Sequence, residues 1–320
     1  MYDKGQGVEQ SYSEAMRFYR MAAAQGYASA QINLGNMYRE GHGVEVDNAK
    51  TVEMYQKAAA HGDAKAQFNL GVMYDQGEGV EVDVAKAVEL YEKATAQGLA
   101  MAQVNLGNMY RQGHGVEVDV AKAMEMYKKA ASQGHVEAQI NLATMYYNGH
   151  GTKVDYAKAV KFYEKAAAQG NAKAQYCSGI FHQHGKGVEV DYAKAMGLYQ
   201  KAAAQGHAGA QANISIMYAD GLSVEQDLNE AMRWFLMAKA NGEDTIVRSM
   251  KDRRQEQAAA ASVGGASSSS PPSQACANCG VAEGCKNAAA ARPPGTWYCD
   301  VACQRAHWKA GHKRESAALP

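Results

Sequence analysis

The chain has 320 residues, with 33 basic and 33 acidic side chains and a formal net charge of zero. That balance gives no long-range attraction to nucleic acid or an anionic membrane. No stretch approaches the roughly 18 apolar residues of a membrane span, and no segment reads as a secretory signal. Five of six cysteines lie between 276 and 303, and the sixth is Cys177. A long body without regularly spaced cysteines does not need disulfides. The clustered thiols have metal-ligand spacing, which points to a reducing cytosol or nucleus.

Taken in chain order, one loop recurs every 36 residues. It opens at Met1-Tyr2, Met37-Tyr38, Met73-Tyr74, Met109-Tyr110, Met145-Tyr146, Phe181-His182 and Met217-Tyr218. A glycine follows each opening: Gly5, Gly41, Gly77, Gly113, Gly149, Gly185 and Gly221. A fixed period in this range predicts a stacked solenoid, whose units bury their apolar faces on their neighbours. Met1 already occupies the Met column, so the sequence is expected to start within a unit. The helix of residues 12–25 is then expected to show an apolar face.

Residues 47–77 display the unit. Asp47 is a helix N-cap, and Ala49, Val52, Tyr55, Ala58 and Ala59 recur at helical spacing. Gly62 ends that helix. A second helix carries Ala66, Leu70, Met73 and Tyr74 and stops at Gly77. The caps form a column of Ser11, Asp47, Asp83, Asp119, Asp155, Asp191 and Asp227. Glu14 and Glu230 stand where a capping box would place them. Lys50, Lys86, Lys122, Lys158 and Lys194 hold that place in the other units, and are expected to reach neighbouring acids or water. The ring column Tyr19, Tyr55, Tyr91, Tyr127, Tyr163, Tyr199 and Phe235 is expected to be core. His42, His114 and His150, set between glycines, are expected to be solvated.

The residues Ala66-Gln67, Leu70-Gly71, Met73-Tyr74, Gly77 to Val80, Asp83 and Lys86-Ala87 carry a resemblance. Over about residues 1–242 the pattern resembles the Sel-1-like repeat, a relative of the tetratricopeptide repeat. The resemblance implies an all-α, right-handed solenoid of antiparallel helix pairs. It also implies adaptor or scaffold roles, with the first helix of each pair lining a concave side.

Comparing the units shows which positions escape a shared packing rule. Three columns vary: Ser29, Lys65, Met101, Glu137, Lys173, Gly209; Ile32, Phe68, Val104, Ile140, Tyr176, Ala212; and Asn36, Val72, Asn108, Thr144, Ile180, Ile216. Three- and four-residue offsets place them on one helix face. That face is either solvated or reads a partner. Asn33, Asn69, Asn105, Asn141 and Asn213 run beside it, with Cys177 in the sixth place. Their amides offer donors and acceptors, either to a peptide backbone or to a neighbouring helix. Lys65, Phe68 and Tyr176 join the asparagines as concave-face candidates.

Beyond the array, residues 243–257 read as a polar capping helix. The Ala, Gly, Ser and Pro of residues 258–275 read as a flexible linker. In residues 276–320, Cys276-x-x-Cys279 and Cys299-x-x-x-Cys303 are two chelating pairs suited to one tetrahedral zinc. Tyr298-Cys299, Cys303-Gln304, His307-Trp308 and His312-Lys313 then give this tail its own resemblance, to a MYND-type zinc finger. That family holds two zincs. Its first site maps onto Cys276, Cys279, Cys299 and Cys303. Its second does not map cleanly: Cys285, His312 and His307 are the candidates, while Ala290, Pro293 and Ser316 fall where cysteines are expected. The resemblance implies binding of proline-rich peptides, with Gln304 and Trp308 in the groove. The other reading of Trp308 is the small core of the module.

These readings converge on a non-enzymatic protein-interaction scaffold holding Zn2+, with proteins as partners. No small-molecule substrate and no membrane partner is indicated. No nucleophile–base arrangement or phosphate loop is present in the sequence. The alternative classes are a piece of a larger enzyme, such as a MYND-associated lysine methyltransferase, and a weak nucleic-acid binder. The tail sets Lys286, Arg292, Arg305, Lys309, Lys313 and Arg314 against Glu283, Asp300 and Glu315. That excess is too modest to make nucleic acid the expected partner.

Overall fold

The computed structural model describes residues 2–3 and 5–242. The expected capping helix, linker and zinc module lie outside the described residues. Those residues form helices and no strand. The odd-numbered helices are α1 (Tyr12–Ala24), α3 (Asn48–Ala60), α5 (Val84–Ala96), α7 (Val120–Ser132), α9 (Tyr156–Ala168), α11 (Tyr192–Ala203) and α13 (Leu228–Ala240). The even-numbered helices are α2 (Ala28–Glu40), α4 (Ala64–Gln76), α6 (Ala100–Gln112), α8 (Val136–Asn148), α10 (Ala172–His184) and α12 (Ala208–Asp220). The described residues divide into two units, one ending at Ile214 and one beginning at Ser215.

The odd helices start where the cap column places them. Asp47, Asp83, Asp119 and Asp155 each accept the amide three residues on at 2.9 Å. Each cap amide also donates backward, as Asp47 does to the Tyr38 carbonyl at 2.9 Å and Asp119 to that of Tyr110 at 2.8 Å. The loop is thus closed from both sides. The capping box does not form as expected, because the acids turn to arginine. Glu14 lies 3.5 Å from Arg17 and Glu230 lies 3.2 Å from Arg233. Three even helices gain caps outside that column: Asp63 accepts the Lys65 and Ala66 amides, Asn171 that of Ala174, and His207 Nδ1 that of Ala210.

The Gly-x-Gly loop needs its two glycines for different reasons. Gly77 caps α4 in the left-handed region, at φ +72°. Gly79 is left-handed as well, but it also abuts the start of α3. A Cβ there would lie 2.5 Å from the Asn48 backbone. The loops at Gly43, Gly79, Gly115, Gly151 and Gly187 are therefore pressed against the helix one unit earlier. Side chains repeat the link. Arg39 reaches Glu78 at 3.7 Å, and His114 Nε2 lies 2.8 Å from Asp75. His42 stacks on Tyr12 with ring centroids 4.5 Å apart. His42 and His114 keep 41% and 49% of their side chains exposed and His150 is exposed, in line with the solvated reading, while the close approach of the loops also brings a partner to His42 and His114.

The ring column is core from Tyr55 onward, and Tyr19 at its start is half-buried. Tyr55, Tyr91, Tyr127 and Tyr199 are at most 1% exposed, each worth about 2–3 kcal/mol of burial. Their rings fit because the preceding helix offers glycine. A Cβ on Gly35, Gly71, Gly107 or Gly179 would stand 2.5–2.8 Å from the ring. The hydroxyls then need partners. Tyr55 donates to Asn36 Oδ1 at 2.5 Å and Tyr127 to Asn108 Oδ1 at 2.6 Å. Tyr163 meets Thr144 at 3.0 Å. Ala49, expected on the apolar side, is exposed. Thr51 is buried instead, its hydroxyl donating to the carbonyls of Gly35 and Asp47.

A glutamine ladder ties units together. Gln67, Gln103, Gln139 and Gln175 are buried, and their Oε1 atoms accept from Gln97, Gln133, Gln169 and Gln205 at 2.8–3.0 Å. The same donors reach back to loop carbonyls of Gly98, Gly134 and Gly170. The ladder fails at its first rung. His61 occupies the donor's place, and the buried Gln31 Oε1 has no hydrogen-bond partner.

The lysine column splits three ways. Lys50 and Lys158 meet their cap aspartates at 2.6 and 2.9 Å. Lys50, Lys86, Lys122 and Lys158 also lie over Tyr38, Tyr74, Tyr110 and Tyr146, 4.3–5.4 Å from the ring centroids. This ring contact was not anticipated. Lys194 faces His182 instead of a tyrosine and turns to Glu164 at 2.7 Å. At the start of the array, Phe18 and Met21 of α1 are about half exposed, as expected of that helix.

Candidate functional site

Even helices present the variable columns to one side. A groove of about 660 Å³ is lined by Ser29, Ile32 and Asn33 of α2 and Asp63, Ala64 and Lys65 at the start of α4. Gln97 to Met101 at the start of α6, and Gln133, complete it. A second groove of about 760 Å³ takes Gly134 to Glu137, Ile140 and Asn141 of α8, then Gln169, Asn171 and Lys173. Gln133 borders the first and Gly134 the second, so the two meet at the α7–α8 connection. The first groove touches three successive even helices, the ones that carry the variable columns.

The groove is polar at its ends and apolar at its centre. Lys65 and Lys173 are exposed, and Asp63 and Glu137 add acidic groups to the same linings. Leu99, Ala100 and Met101 supply the apolar floor, and Met101 is 41% exposed. An unbranched thioether of that kind adapts to varied partners.

The expected site residues divide. Asn33 and Asn141 line the groove. Asn141 also donates weakly to Asn108 at 3.5 Å, linking two units. Asn105 stands beside the Tyr91 phenol, whose pKa burial pushes up to about 12. That hydroxyl closes no hydrogen bond of good geometry, because Val72 stands where Asn36 and Asn108 serve its neighbours. The Tyr199 phenol, itself raised by burial, donates to Gln183 Oε1 at 2.6 Å, with Asn213 beside it. Asn69 is half-buried. Phe68 packs at 5.7 Å on the Tyr91 ring, and Tyr176 stacks at 4.5 Å on His207. The third variable column is therefore no free surface. Its polar members at 36, 108 and 144 answer a core phenol. Cys177 is half-buried, and burial pushes its thiol pKa up.

Among the described residues no group of three metal-ligating side chains converges. Cys276, Cys279, Cys285, Cys299, Cys303, His307 and His312 lie outside them, as do Gln304 and Trp308.

Comparison with known proteins places this geometry. The Sel1 repeat matches residues 1–27, 28–63, 64–99, 100–135, 136–171, 172–207 and 208–243. The chain belongs to the Sel1 repeat family. Sel1 repeat proteins are in general protein-interaction scaffolds. Among solved structures, this Sel1 chain is similar to a protective antigen present in uropathogenic Escherichia coli strains and displaying an SLR fold. The identity is 36% and the TM-score 0.72, over 78% of this chain and 54% of the antigen. The chain thus spans about half the antigen's length. A Sel1 repeat protein from Oxalobacter formigenes is 32% identical with a TM-score of 0.62, over 71% of this chain and 91% of that one. No curated protein matches the chain.

Proposed function

We propose that this Sel1 protein is a non-enzymatic scaffold whose even-helix groove takes an extended segment of a partner protein. The observation that carries the reading is the lining of the two contiguous grooves. It draws on Ser29, Lys65, Met101, Glu137 and Lys173, the column that varies most between otherwise uniform units. A column that supports no shared packing is free to differ for a ligand. Side-chain amides of Asn33, Asn141 and Asn171 offer both donors and acceptors to a peptide backbone. The open, elongated form suits a chain more than a compact small molecule.

The test is a peptide selected from a random library on the full chain, then titrated against Met101→Glu combined with Lys65→Glu. Both positions are exposed, so the melting temperature should hold. Affinity should fall by about tenfold or more. Undiminished binding would move the site elsewhere.

In the same reading, residues 276–320 form a MYND-type finger that takes proline-rich peptides through Gln304 and Trp308. Cys276, Cys279, Cys299 and Cys303 hold one zinc, and Cys285, His312 and His307 contribute to a degenerate second site. Support comes from the chelating spacing of the two cysteine pairs. Zinc thiolates fit a reducing compartment, cytosol or nucleus. Native mass spectrometry of the full chain should count one or two zincs, with Cys276→Ser losing one. A chain that carries none overturns the finger and leaves the groove reading intact.

A further inference from the structure

We infer that the edge where the fifth and sixth repeats meet is a second interaction surface, fitted to an acidic peptide segment. It is separate from the groove and rests on different residues. Along this edge the Gly-x-Gly loops bridge successive repeats, and the residue 39 places back supplies the partner. Glu78 meets Arg39 and His114 meets Asp75, and each pair sets a basic group against an acid. In the fifth and sixth repeats the bridge is Lys186 to Tyr147, Nζ to hydroxyl 3.3 Å. Its positive charge is not neutralised.

A second substitution acts in the same direction. Glu9, Glu45, Glu81, Glu117, Glu189 and Glu225 share one loop position, and the fifth repeat alone carries Lys153 there. Among the described residues neither Lys153 nor Lys186 enters an ion pair, whereas Lys50, Lys57, Lys93 and Lys158 do. At this loop position the fifth repeat changes the charge from acidic to basic.

Rings accompany the charge. Tyr147 and Tyr156 are 37% and 39% exposed, with centroids 5.6 Å apart. Phe181 supports both from below, at 5.7 and 6.4 Å. Lys186 lies 5.3 Å from one exposed ring and 5.9 Å from the other. It is held there because Gly187 lets the loop touch Tyr156, where a Cβ would stand 2.4 Å from the backbone. Half-exposed tyrosines beneath a lysine that meets no acid have the composition of an interaction hot spot, and Lys153 adds a second positive charge from the fifth repeat's loop. The charge selects a carboxylate-bearing chain, and the rings take its apolar side chains.

The experiment uses the full chain and a fluorescein-labelled nonapeptide of three Glu-Glu-Leu units. The variant is Lys153→Glu with Lys186→His, which restores residues found at the same positions of other repeats and so keeps the fold. Wild type should bind, more weakly as salt rises, and the variant should bind about tenfold more weakly. Tyr147→Ala should weaken binding without changing its salt dependence. Equal binding by wild type and variant overturns the proposal, as does no binding by wild type. Preference of wild type for a labelled thymidine decamer would assign the surface to nucleic acid instead.

Discussion

The second to fourth repeats and the sixth solve the same packing problem with different residues. In the former, a leucine (Leu34, Leu70, Leu106) fills the core, an asparagine follows the helix face, and a tyrosine receives a lysine from the next helix. In the sixth, Ser178, Cys177 and His182 hold those places. The lysine–ring contact is replaced by charge: His182 and Lys194 both reach Glu164 of the fifth repeat, at 3.0 and 2.7 Å. Together they hold the Glu164 carboxyl below its ordinary pKa, although its partial burial pushes the other way. The serine is compensated less well. Its hydroxyl is fully buried without a hydrogen-bond partner. A solenoid unit touches only its neighbours, so one divergent repeat can be absorbed by exchanging partners locally.

The largest effect should come from breaking the regular half. Tyr127→Ala removes a ring with 0% exposure and should cost about 3–5 kcal/mol, read by urea denaturation. A loss under about 1 kcal/mol would mean that neighbouring repeats collapse into the space.

Next in size is an alkaline limit. Burial raises the phenols of Tyr91 and Tyr163 to about 12, above the ordinary value of 10.0. Folding then keeps them protonated while the unfolded chain ionises. Their stabilising contribution is complete below pH 10 and is lost as the pH rises through 12. Each raised unit is worth about 1.4 kcal/mol, so stability should fall by a few kcal/mol across that window. Phenolate absorbance recorded during a pH titration of the melting temperature would show it. Ionisation of these phenols near pH 10 in the folded chain would contradict their burial.

Restoring the regular pattern in the sixth repeat should stabilise. Ser178→Leu removes an unpaired buried hydroxyl and refills the leucine column, a gain of about 1–2 kcal/mol. Phe181 stands where most repeats have methionine. Destabilisation by Ser178→Leu would show that its larger ring already occupies the vacated volume. The smallest expected gain is at the other end. His61→Gln should supply the missing rung to Gln31 and add about 1 kcal/mol, seen as a higher melting midpoint.

The 36-residue period, the cap column and the ring column were legible because they answer local rules: a capped first turn, a left-handed stop and a helical apolar spacing. Boundaries followed from the same signals, as at Asp47 and Gly77. The groove was legible only in part. Ser29, Lys65 and Met101 stand out because they vary. The column at 36, 108 and 144 varies too, yet it serves core phenols, and one sequence does not separate those cases. Contacts between residues far apart in the chain were the hardest to read. The glutamine ladder, the lysine–ring contacts and the loop bridges join residues 12 to 39 apart, and no local pattern names such partners.

The sequence by itself determined the units: where each helix starts and stops, and which side is apolar, because those features depend on hydrogen bonds and spacings within a few residues. Tertiary structure decided what each unit does to the next. Only stacking sets Gly79 against the start of α3, Gln133 against the Gly98 carbonyl, and Lys186 over two exposed rings. The physical reason is that a repeat fixes its own backbone but not the identity of its neighbour, and charge, shape and hydrogen bonding at the junction depend on both.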